Sequence, residues 1–187
     1  MPGPIVETTD DVTLRTVERE DAAFLQRLFA DPWARFGVHE STHKTEAEVE
    51  EAIEEEFEDN ANAAYLVCDD AEDAPYDHPD DEDTTPVGVV LFVHVDRDRP
   101  QVVHWVAPEH RGDGVGEAAL DLAVETVFRT YDAHSLSAAI PDGRDVARER
   151  VEALGFRHEG ANREMAFVEG AYRDVHQYGL LREEWRA

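Results

Sequence analysis

The sequence predicts one α/β domain of the α+β kind, with helices on both faces of a mixed, mostly antiparallel central sheet of about six to seven strands. Three observations predict it. Runs of β-prone apolar residues and runs of helical spacing follow one another in the order β-α-α-β-β-β-α-β-α-β-β, which combines hairpins with crossovers. The stretch Val102–Val127 passes from strand through a glycine loop into helix. The 187 residues are 42% hydrophobic, enough for one sizeable core, and no internal repeat divides them, so residues 1–187 are expected to form a single domain.

Taken in order, Met1–Asp11 is polar, carries prolines, and reads as a loose lead-in. Val12–Val17 alternates as a short strand. Glu20–Ala30 follows as a helix with Phe24, Leu25, Leu28 and Phe29 on one face, and Pro32 ends it. Trp33–Lys44 holds aromatics and histidines without periodicity. Thr45 and Glu48 make a capping box that opens a second helix, running through Phe57 on a narrow stripe of Val49, Ile53 and Phe57 among glutamates. Ala63–Cys68 is a strand.

Nine of the fifteen residues Asp69–Asp83 are acidic, so 69–85 is expected to be a flexible acidic loop. Pro86–Val95 and Gln101–Val106 pair as a hairpin. After the glycine loop the helix continues to about Tyr131, Ser135–Ile140 is a strand, and Asp145–Leu154 is a helix stopped by Gly155. Arg163–Val168 and Tyr172–Leu181 flank Glu169–Gly170 as a second hairpin.

The chemistry is concentrated at Val106–Gly116, which reads VAPEHRGDGVG. A β-prone run stops at Pro108; Arg111, Gly112, Asp113, Gly114, Val115 and Gly116 follow and open the next helix. Residues without Cβ let successive N–H groups turn to one point, and the helix N-terminus adds partial positive charge. The predicted guest is a phosphate or diphosphate. A nucleotide P-loop needs a lysine and a Ser or Thr after its glycines, and neither is present. A dinucleotide fold wants its glycines near the start of a domain, whereas these lie in the second half.

On these residues the chain resembles the GNAT superfamily of acyl-CoA-dependent N-acyltransferases, whose diphosphate loop has Gln or Arg, two residues, Gly, one residue, then Gly or Ala. Leu14–Arg15, Leu154–Gly155–Phe156 and the C-terminal GAYRDVHQYGLLREEW extend the resemblance over most of the chain. The last run is most similar to the branch that acetylates N-terminal amines of ribosomal proteins. The resemblance implies the GNAT fold, acetyl-CoA as cosubstrate, a pantetheine arm paired with the backbone of Val106, and Trp33–Lys44 as one wall of the acceptor pocket. Where relatives have Asn-x-x-Ser or Asn-x-x-Ala, this chain has Arg144 and Ala147, and Arg144 is expected to pair with a phosphate of CoA. Val151 stands where some relatives place a tyrosine acid, and Gln101 lies near the position of a glutamate base.

With Gln101 unable to act as a base, His104 is the first candidate to take the proton, its ordinary pKa suiting neutral pH. A histidine packed beside the sheet is the alternative reading. Glu109, His39, Glu40, His176, Tyr178 and a water chain are further candidates.

The net charge is −27, from 44 acids and 17 bases, with Lys44 the one lysine. Such a field argues against nucleic acid or anionic membrane as partners. Because the acids are spread over the whole chain, a surface hydrated in concentrated salt is favoured over a cation-selective site, and the composition resembles that of proteins from extreme halophiles. The lone Cys68 excludes an internal disulfide, and with no signal segment or bilayer-length apolar run a cytoplasmic location is expected. The histidines show no metal-ligand spacing, so no metal is expected.

The function these readings imply is an acetyl-CoA-dependent N-acetyltransferase acting by direct attack of a primary amine. The acceptor would be a protein N-terminus or a small amine, and a homodimer is one assembly open to the chain, whose oligomeric state the sequence does not name. The rival is a CoA-binding regulatory or degenerate module without turnover.

Overall fold

The computed structural model of the chain describes residues 2–58, 61–80 and 82–185; Met1 of the expected lead-in and Asp81 of the acidic segment lie outside the described residues. In chain order the strands are β1 (Ile5–Thr8), β2 (Thr13–Thr16), β3 (Asn62–Asp70), β4 (Thr84–Val93), β5 (Gln101–Val106), β6 (Ser135–Pro141), β7 (Arg157–Val168) and β8 (Ala171–Leu181). The helices are α1 (Ala22–Ala30), α2 (Pro32–Gly37), α3 (Glu46–Glu58), α4 (Val115–Thr130) and α5 (Asp145–Ala153). One sheet takes all eight strands in the order β1-β2-β3-β4-β5-β6-β8-β7. Every neighbouring pair is antiparallel except β5 and β6.

Periodicity explains the layers. On one face, α1 and α3 bury Leu25, Leu28, Val49 and Ile53 against Leu66, Val89 and Trp105. On the other, the three- and four-residue steps of α4 put Leu120, Ala123, Val124 and Val127 against Val90, Phe92, Leu136 and Leu180. Each fully buried leucine or valine contributes on the order of 2 kcal/mol. The smaller α2 sets Trp33 and Phe36 on Ala166, Val168 and Val175.

Three expectations are corrected. The lead-in 1–11 contains β1, whose Glu7 and Thr8 pair with Leu14 and Thr13, and this strand brings the sheet to eight. With only four residues and no apolar run, it carries no sequence signal. Pro32 ends α1 and also opens α2: Asp31 caps the new helix by accepting from the N–H groups of Trp33 (2.9 Å) and Ala34 (3.4 Å).

The third correction concerns the bounds of the acidic segment, whose described residues between β3 and β4 form a loop as expected. Strands take its ends, 69–70 and 84–85, and the described part between is fastened by a fully buried arginine. Arg15 pairs with Asp70 at 2.8 Å and donates to the carbonyls of Gly3, Pro75, Tyr76 and Asp77. Composition speaks only to apolar burial; here five polar acceptors from distant residues satisfy one guanidinium.

Candidate active site

The one parallel pair makes the site. β5 and β6 share a single rung, Gln101 with Ser137, where the Ser137 N–H donates to the Pro100 carbonyl at 2.9 Å. Beyond it the strands part, opening a cleft of about 110 Å³. Ala107 donates to Val87 at 2.9 Å, so by the alternation of the antiparallel ladder the N–H and C=O of Val106 point away from β4 and into the gap. Successive residues of β5 face opposite sides of the sheet. Val103 meets Gly37 of α2 and Trp105 stacks edge-on against Phe24 of α1, whereas His104 reaches Gly116 of α4. The cleft is lined from both sides, by Trp33, Phe36 and Gly37 of α2 and by Leu120, Arg150 and Val151 of α4 and α5. It is a slot through the sheet.

At the end of β5 a short 3-10 turn, Pro108–His110, leads into the glycine loop. Gly114 is the N-cap of α4 with φ +86°, and its carbonyl accepts from the N–H groups of Glu117 (3.0 Å) and Ala118 (3.1 Å). The N–H groups of Gly112, Asp113, Gly114, Val115 and Gly116 have no acceptor among the described residues. A Cβ at Gly114 would meet nothing within 4 Å, so the space above the loop is open. Five unsatisfied donors at the start of a helix could hold a diphosphate. Gly116 serves another need: a Cβ there would lie 2.7 Å from Arg150 Nη1 and 3.2 Å from His104 Cε1. Its absence lets α5 and β5 close on α4.

The remaining expected residues fall as follows. Arg111 does not stand free: its Nε donates to the Val106 carbonyl (2.8 Å) and its Nη2 to Asp31 (3.1 Å). Only the Val106 N–H is therefore left for an arm lying in the gap. Asp31 also accepts from Trp105 Nε1 at 3.2 Å. Burial alone would raise its pKa, but the hydrogen bonds from Trp33, Arg111 and Trp105 outweigh burial and hold it below the usual carboxylate range. Arg144 stands at the N-cap of α5 with its guanidinium 5.7 Å from the Trp33 ring.

His104 lies on the α4–α5 side, its Nε2 buried without a hydrogen-bond partner. Burial first, then Arg150, Arg144 and Arg111, push its pKa down to about 3. At neutral pH it is an uncharged imidazole and a weak base. The other base candidates do not line the slot. Gln101 donates to the Gly37 carbonyl, Glu109 pairs with Arg27, and Glu40 pairs with Lys44. His176 is held by Asp142 and His158, and Tyr178 donates to Glu152, both on the outer side of α5. Among the described residues no group of His, Cys, Asp and Glu could hold a metal ion.

Three residues of the site escaped sequence reasoning, Asp31, Arg150 and Arg173, whereas Trp33 falls within the expected acceptor wall. Asp31–Pro32 is a helix-start signal that could have been read. Arg150, paired with Glu117 at 2.8 Å, and Arg173, over Trp33, reach the site through contacts between distant residues and carry none.

Comparison with known proteins matches residues 11–157 to the acetyltransferase (GNAT) domain. The chain belongs to this family. Like its members it is an acetyl-CoA-dependent N-acetyltransferase. It is similar to the spermidine N(1)-acetyltransferase of Vibrio cholerae, 24% identical over 176 residues that cover 93% of this chain and 95% of the relative. The putative ribosomal N-acetyltransferase YdaF of Bacillus subtilis is 28% identical over 87 residues, covering 46% and 48%. Among solved structures, the Vibrio cholerae spermidine N-acetyltransferase in complex with CoA and spermine superposes with a TM-score of 0.81 at 23% identity, covering 96% of this chain and all of the other. The fold is the GNAT fold expected from the loop.

Proposed function

We propose that this N-acetyltransferase acetylates the primary amino group of a small molecule by direct attack. The observation that carries the reading is the slot. The unsatisfied loop amides and His104 lie on its α4–α5 side, and α2 walls the other, so a bound thioester and an amine approach one gap from opposite faces. Full-length similarity to spermidine acetyltransferases, against half-length similarity to the ribosomal branch, supports a small amine over a protein N-terminus.

Bound acetyl-CoA supplies the activated acyl group. The amides of Gly112–Gly116 fix its diphosphate, and the Val106 N–H, the donor left facing the gap, orients the arm. Asp31 holds Arg111, Trp105 and the first turn of α2 in one arrangement, so cofactor loop and acceptor wall are set together. The amine's nitrogen forms its bond to the acyl carbon as the carbon–sulfur bond breaks. The ammonium proton passes to solvent, because His104 is too weak a base to keep it, and CoA departs as the thiolate, which takes up a proton from solvent.

The test is thiol release from acetyl-CoA across a panel of polyamines, amino acids and N-terminal peptides. Release with small amines and none with peptides is expected; peptides as the better acceptors would overturn the reading. No carboxylate lines the slot among the described residues, which agrees with proton loss to solvent rather than to a protein base.

A further inference from the structure

We propose that the acceptor amine carries an oxyanion of its own, a carboxylate or a phosphate, and that Arg173 and Arg144 hold it against Trp33 on the α2 side of the slot. This rests on the small-amine reading above and narrows it.

The sequence supplies 44 acids for 17 bases, so an arginine beside the cleft that has neither a carboxylate nor a carbonyl to donate to calls for an explanation. At the cleft, Arg111 has Asp31 and Arg150 has Glu117. Arg144 and Arg173 have neither an ion pair nor a hydrogen bond among the described residues, and Arg173 Nε is buried with no partner at all. Their guanidinium carbons lie 5.7 Å and 5.2 Å from the centroid of the same ring, that of Trp33. A buried guanidinium N–H without an acceptor is costly, and an anion that accepts from Arg173 beside the Trp33 ring, with Arg144 near the same ring, removes that cost.

The arrangement is built. The Asp142 N–H donates to the Asp174 carbonyl at 2.9 Å, which locks the turn before Arg144 to the strand that carries Arg173. Within that turn Gly143 has φ +93°, and a Cβ there would stand 3.4 Å from Trp33 Cη2 and 3.5 Å from Arg173 Nη1. Turn, ring and guanidinium are thus in contact. Stacking on the ring orients a planar guanidinium while leaving its N–H edge available, the geometry suited to a carboxylate or phosphate.

The side of the sheet decides whose anion it is. Val175, two residues from Arg173 and on the same face, packs with Trp33 and Phe36 of α2. Tyr178, on the opposite face, reaches Glu152 of α5. Arg173 therefore lies across the sheet from the amides at the start of α4, on the face where the acceptor enters. A polycation entering there would meet two unneutralised arginines. An amino acid or an aminoalkyl phosphate would neutralise them while offering its amine to the gap.

The experiment compares ω-amino carboxylates and aminoalkyl phosphates with amino alcohols of equal length and with spermidine, in wild type, Arg173→Gln and Arg173→Lys. Thiol release is measured at saturating acetyl-CoA, and binding of each amine to the CoA-loaded protein is measured by calorimetry. Wild type is expected to favour the anion-bearing amines by about tenfold or more in kcat/KM. Arg173→Gln should erase that preference through KM, with kcat changed by less than roughly threefold, and Arg173→Lys should restore part of it. CoA affinity and the melting temperature should hold in both variants, which separates the effect from misfolding. Spermidine or an amino alcohol as the preferred acceptor would overturn the proposal. So would a loss in Arg173→Gln that falls on CoA affinity, since the anion would then be the cofactor's phosphate. If wild type releases no thiol with any amine, the small-amine reading fails. Calorimetry then still decides the clamp: binding of anion-bearing amines that Arg173→Gln abolishes supports it, and absence of such binding overturns it.

Discussion

Gly114 combines two demands in one position, a left-handed φ and an open space where a diphosphate is to sit. Gly114→Asp introduces backbone strain of about 1 kcal/mol and, more importantly, a carboxylate facing five N–H donors. The variant is expected to keep its circular dichroism spectrum while losing CoA affinity by about a hundredfold or more, measured by calorimetry; unchanged affinity would remove the loop from the cofactor site. His104 gives a prediction of opposite character. With its pKa near 3, His104→Ala should leave the pH dependence of kcat/KM unaltered between about pH 6 and 9 and lower kcat by less than about tenfold. A flattened alkaline rise would return proton removal to this residue. The same depression has a stability sign. The folded value lies below the ordinary 6.5, so the contribution is present above pH 6.5 and is lost as pH falls toward 3. His104→Phe is therefore expected to lose less of its melting temperature than wild type on acidification over that range.

At the scale of elements, legibility follows the range of the contacts that form each one. The loop and α4 were readable because glycine spacing and a helical repeat are local signals. α2 was not, because six residues are too few for periodicity and Pro32 was read only as a stop. The glycine turn at the start of α4 is likewise a local signal, while the arginines beside Trp33 come from β8 and the start of α5 and meet that ring only in the folded chain. The acidic segment teaches the same lesson. Its tether, Arg15, lies on β2, far from it in sequence, and a composition rule has no means of finding it. Arg15→Met is expected to destabilise the protein by about 3–5 kcal/mol, because it leaves Asp70 and several carbonyls without their donor. Limited proteolysis should then cut first within 71–83; unaltered cleavage would mean that the segment is held by something else.

At the scale of the whole molecule, the net charge is −27. Like charges spread over one small surface repel through water, and raising salt from about 0.1 M to about 1 M shortens the screening length from about 10 Å to about 3 Å. We propose that the chain is suited to concentrated salt. Its melting temperature is then expected to rise by roughly 5 °C or more between about 0.1 M and 2 M potassium chloride, and a flat or falling curve would refute this.

The lone rung between Gln101 and Ser137 has a mechanical consequence. Backbone bonds between the two portions of the sheet, one ending in β5 and the other beginning at β6, cluster at the foot of the gap, at Asp98 and Pro100. The portions are two leaves bound along a short spine, and whatever fills the space between them acts as the missing rungs. Occupancy should thus be felt as stiffness on both leaves at once, with amide exchange slowing in β4 and β8 together although neither strand borders the guest.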